Sequence, residues 1–225
     1  MPWPLGRSYR HSMASMSMNK AIHGAVRRDL TRFLDALDRF PDGDRARAEQ
    51  LGRAWDNFTF ELTYHHEGEH EIAWPGLLAI GVSPDLLAEL DTEHAAMATA
   101  LAEAGAAMAT LRSTASAADA TAARAAFEHL QQVTVAHLDH EESEIEEVYL
   151  ANREAPAIKE MGRKFGKVSP ARGGHFFAWV SDGASAEEMA AIKGEIPGPV
   201  YTVLTTVFGR RYRREVAPTW RVASR

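Results

Sequence analysis

Four apolar stripes of helical period run through the first 150 residues, and each is interrupted by a histidine. Apolar residues that recur in alternating steps of three and four line one face of an α-helix. The first stripe, in a helix expected over about 18–39, is His23, Val26, Leu30, Phe33 and Leu37, and Pro41-Asp42-Gly43 ends it. The second, over about 45–74, is Leu51, Trp55, Phe58, Leu62, His65, Glu69 and Ile72, with Pro75-Gly76 as its stop. The third begins after Ser83-Pro84, a cap followed by proline at the first helical position, and runs through Leu87, Leu90, His94, Met97, Leu101, Ala104, Met108 and Leu111. The fourth, over about 118–150, is Phe127, Leu130, Thr134, His137, Glu141, Ile145 and Val148. This pattern predicts an all-α, up-down-up-down four-helix bundle.

The polar residues on these stripes do not belong in an apolar core. Glutamate is almost never buried unless it is paired or bound to a metal. A single buried histidine is usually a hydrogen-bonded core residue. Four of them, one per helix, with Glu69 and Glu141 each four residues after a histidine, point to a shared site. In an up-down bundle, residues equally far from a connecting loop lie level. At about 1.5 Å per residue, the six positions differ in height by no more than about one turn.

A histidine and a glutamate four apart share one helical face. Two such pairs and two single histidines give four imidazoles and two carboxylates. Each carboxylate has two oxygens and can span two cations. The set suits two iron ions, with manganese or zinc left open.

The runs His65-His66-Glu67-Gly68-Glu69-His70-Glu71-Ile72-Ala73-Trp74-Pro75 and His137-Leu138-Asp139-His140-Glu141-Glu142 resemble the two half-motifs of the hemerythrin-like, or HHE cation-binding, family. Ile22-His23 with Arg27-Arg28-Asp29-Leu30 resembles its first helix, and Glu93-His94 its third. The resemblance covers about residues 18–150. It implies a left-handed four-helix bundle holding two non-haem, oxo- or hydroxo-bridged iron ions. Carried over, His23 and His65 bind one iron, His94 and His137 the other, and Glu69 and Glu141 bridge them. Oxygen-carrying members have a second histidine one turn after the third-helix histidine, where this chain has Ala98. They also end with an aspartate ligand five residues after the fourth-helix histidine, where Glu141 stands at four. The iron at His94 is therefore expected to be the more open one. The resemblance then implies binding of, or reaction with, oxygen, peroxide or nitric oxide in sensing, detoxification or oxidation. An oxidase or oxygenase acting on an organic substrate is the alternative.

Other motifs compete. His66-Glu67-Gly68-Glu69-His70 has the H-E-x-x-H form of zinc hydrolases, but both histidines lie one residue off the second stripe. Glu67 and His70 imitate the Glu-x-x-His pair of ferritin-like sites, without a second copy on another stripe. A metal-free structural bundle is the third rival, and the buried glutamates weigh against it. His66, His70, His140 and Glu144 flank the stripes, as exposed polar residues or as hydrogen-bond partners of ligands. Glu61, one turn before His65, could serve the same way. Tyr64 and Tyr149 are read as packing residues, with phenolate ligation as the alternative. His11 and His175 lie outside the stripes.

The rest of the chain sets limits. There is no cysteine, which excludes disulfides, iron–sulfur clusters and thiolate zinc sites. No apolar run approaches the roughly 20 residues of a membrane span. The N-terminus has no signal-peptide core, so a cytoplasmic protein with no membrane partner is expected. Residues 1–17 are expected to be a flexible segment, 18–150 the bundle, and 151–225 a helical extension packed on it. Residues 1–150 hold 12 Lys+Arg against 24 Asp+Glu, and residues 151–225 hold 13 against 7. A basic tail docked on an acidic bundle accounts for this asymmetry. Arg210, Arg211, Arg213 and Arg214 lack aromatic interleaving beyond Tyr212, so no nucleic-acid partner is expected. Ser185-Ala186-Glu187-Glu188 predicts a capping box, Pro197-Gly198-Pro199 a break, and 200–214 an amphipathic helix with Val203, Val207 and Leu204 inward. His175-Phe176-Phe177-Ala178-Trp179-Val180 must be buried, either on the bundle or as a homodimer interface or lid. The expected partners are a small diatomic or peroxide ligand and a redox protein.

Overall fold

The computed structural model describes residues 16–221, which contain helices and no strand. Residues 1–15, most of the expected N-terminal segment and including His11, lie outside the described residues. Four long helices dominate: α1 (Met18–Asp38), α2 (Arg45–Gly68), α4 (Pro84–Thr114) and α5 (Ala117–Ala151). Between α2 and α4 stand a π turn (Glu69–Ala73) and a short helix α3 (Trp74–Leu78). Each long helix starts on a side-chain cap. Ser17 accepts from the Lys20 amide, Asp44 from Arg47, Ser83 from Asp85 and Ser116 from Asp119. Such caps satisfy amides that have no partner within the helix.

Helix α1 packs against α5 and α2, and α4 packs against α5 and α2. The α1–α2 and α4–α5 loops are tied to each other. The Gly43 amide donates to the Ala115 carbonyl at 2.8 Å, and the Ala117 amide to Asp42 Oδ1 at 2.9 Å. Ala115 ends α4 in the left-handed region at φ 56°, a conformation rare for a residue with a Cβ, and it is buried there.

The second helix does not stop at Pro75-Gly76 as expected. It passes through the π turn, where the Trp74 amide reaches back to the Glu69 carbonyl, and continues to Leu78. Pro75 sits in the first turn of α3, where a missing N–H costs little.

The apolar interior is in two parts. One is centred on Phe33, Trp55, Phe58 and Phe127, whose rings lie 4.9–5.9 Å apart. The other holds Trp74, Leu77, Leu87, Leu90, Ile145, Ile158 and Met161. Along α2 the first part reaches Leu62 and the second resumes at Ala73. Along α4 the second part ends at Leu90 and the first resumes at Ala100. The histidines and glutamates occupy the layer between.

The chain beyond α5 forms α6 (Pro156–Phe165), α7 (Pro170–Val180), α8 (Ala186–Gly194), α9 (Gly198–Val203), a π turn (Leu204–Phe208) and α10 (Arg210–Glu215). A 3₁₀ turn (Ala217–Trp220) follows. The capping box at Ser185 and Glu188 is present. The apolar run His175–Val180 lies on α7 and packs inward, with Trp179 and Val180 buried. The 200–214 segment departs from expectation. Val203, at the end of α9, and Val207, in the π turn, are exposed, Leu204 is half-buried, and Gly209 and Tyr212 turn inward. A Cβ on Gly174 would stand 2.4 Å from Phe208 Cβ, so only glycine permits α7 to approach this turn so closely.

Specific ion pairs and hydrogen bonds of both charge senses join this tail to α1 and α2. Arg28 of α1 donates to Glu188 and to the Val180 carbonyl, and Arg32 donates to the Asp182 carbonyl. Arg172 of the tail pairs with Glu61. Within the arginine cluster, Arg211 pairs with Glu215 and Arg213 donates to the Thr206 carbonyl, both inside the tail.

Trp179 is the anchor. It is 1% exposed, and its indole N–H donates to the buried Asp29 carboxylate at 2.8 Å. Trp179→Ala should lower the unfolding free energy by about 3–5 kcal/mol, the usual cost of removing a fully buried large aromatic side chain. Urea titration followed by circular dichroism checks this. An unchanged midpoint would mean that the tail is not part of the cooperative fold.

Candidate metal centre

All six residues of the stripes come together. His23 projects from α1, His65 from α2, Glu69 from the first position of the π turn, His94 from α4, and His137 and Glu141 from α5. The Nε2 atoms of His23 and His65 are 3.1 Å apart, and those of His94 and His137 are 3.0 Å apart. Each carboxylate reaches both histidine pairs. Glu69 Oε1 is 3.0 Å from His65 Nε2, and Glu69 Oε2 is 3.4 Å from His94 Nε2. Glu141 Oε2 is 3.3 Å from His23 Nε2 and 3.7 Å from His137 Nε2.

These approaches do not satisfy the oxygens. Both oxygens of Glu69 and Oε2 of Glu141 are buried without a hydrogen-bond partner. Leaving such groups unpaired costs about 1–3 kcal/mol each, more when they are charged. A set of lone pairs aimed at common points, buried and unpaired, is what a cation would satisfy. Imidazole and carboxylate together suit a transition metal. The residues present therefore fit metal ions.

Among the described residues, two groups of three donors meet the spacing for an ion, with donor atoms within 4.8 Å of one another. They are His23, His65 and Glu69, and His66, His94 and His137. His66 is a correction to the expected flanking position. Its ring stacks on His94 at 4.1 Å between centroids, and its Nε2 is buried without a partner. His70 is exposed and donates through Nδ1 to Asp91 at 3.1 Å. His66 and His70 thus face different surroundings, and the H-E-x-x-H pattern forms no site.

A ring of carboxylates fixes the imidazoles from behind. His23 Nδ1 donates to Glu142 at 3.0 Å, and His137 Nδ1 donates to Glu93 at 2.8 Å. Placing the proton on Nδ1 leaves the Nε2 lone pair for the centre. Glu93 also accepts from His140 Nδ1 at 2.8 Å, so His140 acts through a ligand's partner. Arg27 and Lys20 hold Glu142 in turn. Asp91 accepts from the Trp74 indole at 2.8 Å and lies 3.7 Å from His94 Nδ1. Asn19 donates to Glu141 Oε1 at 2.9 Å. Sequence reasoning missed Asn19, Asp91, Glu93 and Glu142 in this role. The only signal was that Glu93 and Glu142 each adjoin a stripe residue in the chain.

Other candidates do not reach the site. Glu61 is held by the Arg172 guanidinium at 2.6 and 3.1 Å. Tyr64 is 41% exposed, with Arg172 4.5 Å from its ring centroid. Glu144 is exposed. Tyr149 is half-buried and packs beside the second apolar cluster, as expected. His175 bonds Asn57 at 2.6 Å. Above the pair Glu93 and His137 an open groove lies between α4 and α5, bounded by Ala96, His129, Val133 and Ala136.

The donors shift one another's proton affinities. Burial disfavours a charge on His23, but the Glu141 carboxylate beside it overrides this and lifts its pKa to about 9. Burial, and then the neighbouring His23, push His65 down to about 3. Burial and His137 lower His94 to about 4. Burial drives Glu69 up, and Glu141 adds to this, whereas His23 helps to hold Glu141 low against its own burial. Without a metal, a proton on His23 carries the positive charge of the site.

A helical bundle with a buried His/Glu site between its long helices defines a class of cation-binding proteins. The family model of the hemerythrin HHE cation binding domain matches residues 17–149, and the chain belongs to that family. No curated protein and no solved structure matches it. Among the described residues no helix is long and apolar enough to cross a membrane.

A protonated His23 stabilises the metal-free fold below its ordinary value of 6.5, and this contribution is lost as pH rises through about 9. The raised Glu69 acts in the same direction. Metal-free protein should therefore lose stability between pH 6.5 and 9, and bound metal should abolish that loss. Urea unfolding in chelator across this range measures it. A flat or rising profile in chelator would contradict the charge balance described.

Proposed function

We propose that this chain is a non-haem di-iron protein that binds or reacts with oxygen, peroxide or nitric oxide. His23 and His65 would hold one iron, His94 and His137 the other, and Glu69 and Glu141 would serve both. The observation that carries the reading is that each carboxylate approaches both histidine pairs, while three of their four oxygens have no other partner. When bound, the iron pair would supply the redox chemistry toward a small ligand.

The chain's own residues define the setting. Glu142 and Glu93 hold the Nδ1 protons of His23 and His137, so that the Nε2 atoms face inward. The two apolar clusters exclude water above and below the layer, which strengthens every electrostatic contact within it. The groove over Glu93 and His137 offers a small ligand the nearest approach from solvent. The reading includes an up-down-up-down bundle over residues 18–150, supported by the tied α1–α2 and α4–α5 loops. It also includes residues 151–225 as an extension, a redox partner that returns electrons, and a cytoplasmic setting.

Elemental analysis of protein reconstituted with Fe(II) without oxygen should give two irons per chain. His65→Ala should lose at least one of them, and His70→Ala should keep both. A folded protein that takes up one zinc and no iron would overturn the di-iron reading.

A further inference from the structure

His65 and His66 are consecutive, yet both reach the polar layer. The geometry of α2 explains how. One residue along an α-helix is a turn of about 100°. Helix α2 packs against α1 on one side and α4 on the other. That step carries the side chain from the α1 side, where His65 meets His23, to the α4 side, where His66 meets His94. Glu69 lies four residues after one and three after the other, so it sits a turn beyond both.

We infer that His66 is a metal ligand, the third imidazole of the ion held by His94 and His137. This rests on the di-metal reading above. The ring centroids of His66, His94 and His137 form a triangle with sides of 4.1, 4.5 and 5.8 Å. Their donor atoms lie within 4.8 Å of one another. The His66 Nε2 is buried and has no hydrogen-bond partner, whereas a histidine kept for core packing would have one. Among the described residues no carboxylate bonds that atom. The position one turn after His94 is Ala98, which is exposed, so α4 supplies no second imidazole and α2 supplies it across the helix interface. The two metals become inequivalent, with three imidazoles on one and two on the other. The expectation of a more open ion at His94 is thereby reversed.

Cobalt(II) is a suitable probe, because the intensity of its visible bands reports coordination number. Anaerobic titration of the full chain should show two Co(II) ions bound. His66→Ala should weaken one of the two by at least tenfold, leave the other unchanged, and intensify the visible bands as coordination number falls. Added imidazole should restore the original spectrum by occupying the vacated position. His66→Gln separates ligation from a packing or hydrogen-bonding role, since glutamine fills the space and bonds but is a poor ligand. It should behave as His66→Ala does and fold as the parent does. Two Co(II) ions bound by either variant with parental affinities and spectra would overturn the assignment of His66 and leave the di-metal reading standing. A parent protein that binds fewer than two Co(II) ions would instead overturn the di-metal reading, and this assignment with it.

Discussion

Two carboxylates, Glu69 and Glu141, are buried side by side between two apolar clusters, and three of their four oxygens have no hydrogen-bond partner. Few arrangements cost a fold more. A small all-helical protein with ordinary packing would replace both with leucine and gain stability. Their placement, each within 3.7 Å of two histidine nitrogens from different helices, means that the layer is built around positive charge. In the metal-free chain that charge is a proton on His23. A divalent ion would answer more of the unpaired atoms at once.

The remainder of the molecule serves to hold this layer still. The aromatic cluster around Phe33 on one side and the Trp74 cluster on the other keep α1, α2, α4 and α5 in register. Behind the imidazoles, Glu142 and Glu93 fix ring orientation, and Arg27 and Lys20 neutralise Glu142. The tail adds a third support. Trp179 joins Arg32 of α1 in holding Asp29, and Arg172 holds Glu61, so two further buried carboxylates on α1 and α2 are partnered by contacts outside the metal layer. These two carboxylates lie near the layer in sequence but are structural. Glu69 is still held by α2, its amide bonded to the His65 carbonyl, and the π turn that begins there carries His70 away from His66. Such turns recur at functional sites because they shift a side chain without ending the helix.

The four long helices and all six stripe residues were legible in the chain, for a plain reason. Apolar periodicity is a local property, and a histidine or glutamate on a buried stripe contradicts its surroundings wherever the stripe goes. Absence of cysteine, the caps at Ser83 and Ser185, and the burial of Trp179 follow from local chemistry as well. What periodicity cannot express is which side of a helix faces which neighbour. His66 lies off the stripe because a stripe has one face. Helix α2 has two neighbours, and only their placement turns both His65 and His66 to use. The same holds for Val203 and Val207, which the pattern put inside and which the packing of α9 and the π turn against α7 leaves exposed. Glu61 and Tyr64 sat one turn and one residue from a ligand, and only the arrival of Arg172 from 108 positions or more along the chain drew them elsewhere. Sequence by itself determined the helices, their buried faces and the donors on them, because these depend on neighbours within a turn or two. Tertiary structure decided which donors share an ion and which carboxylates stand behind them, because those distances are set by packing between segments far apart in the chain.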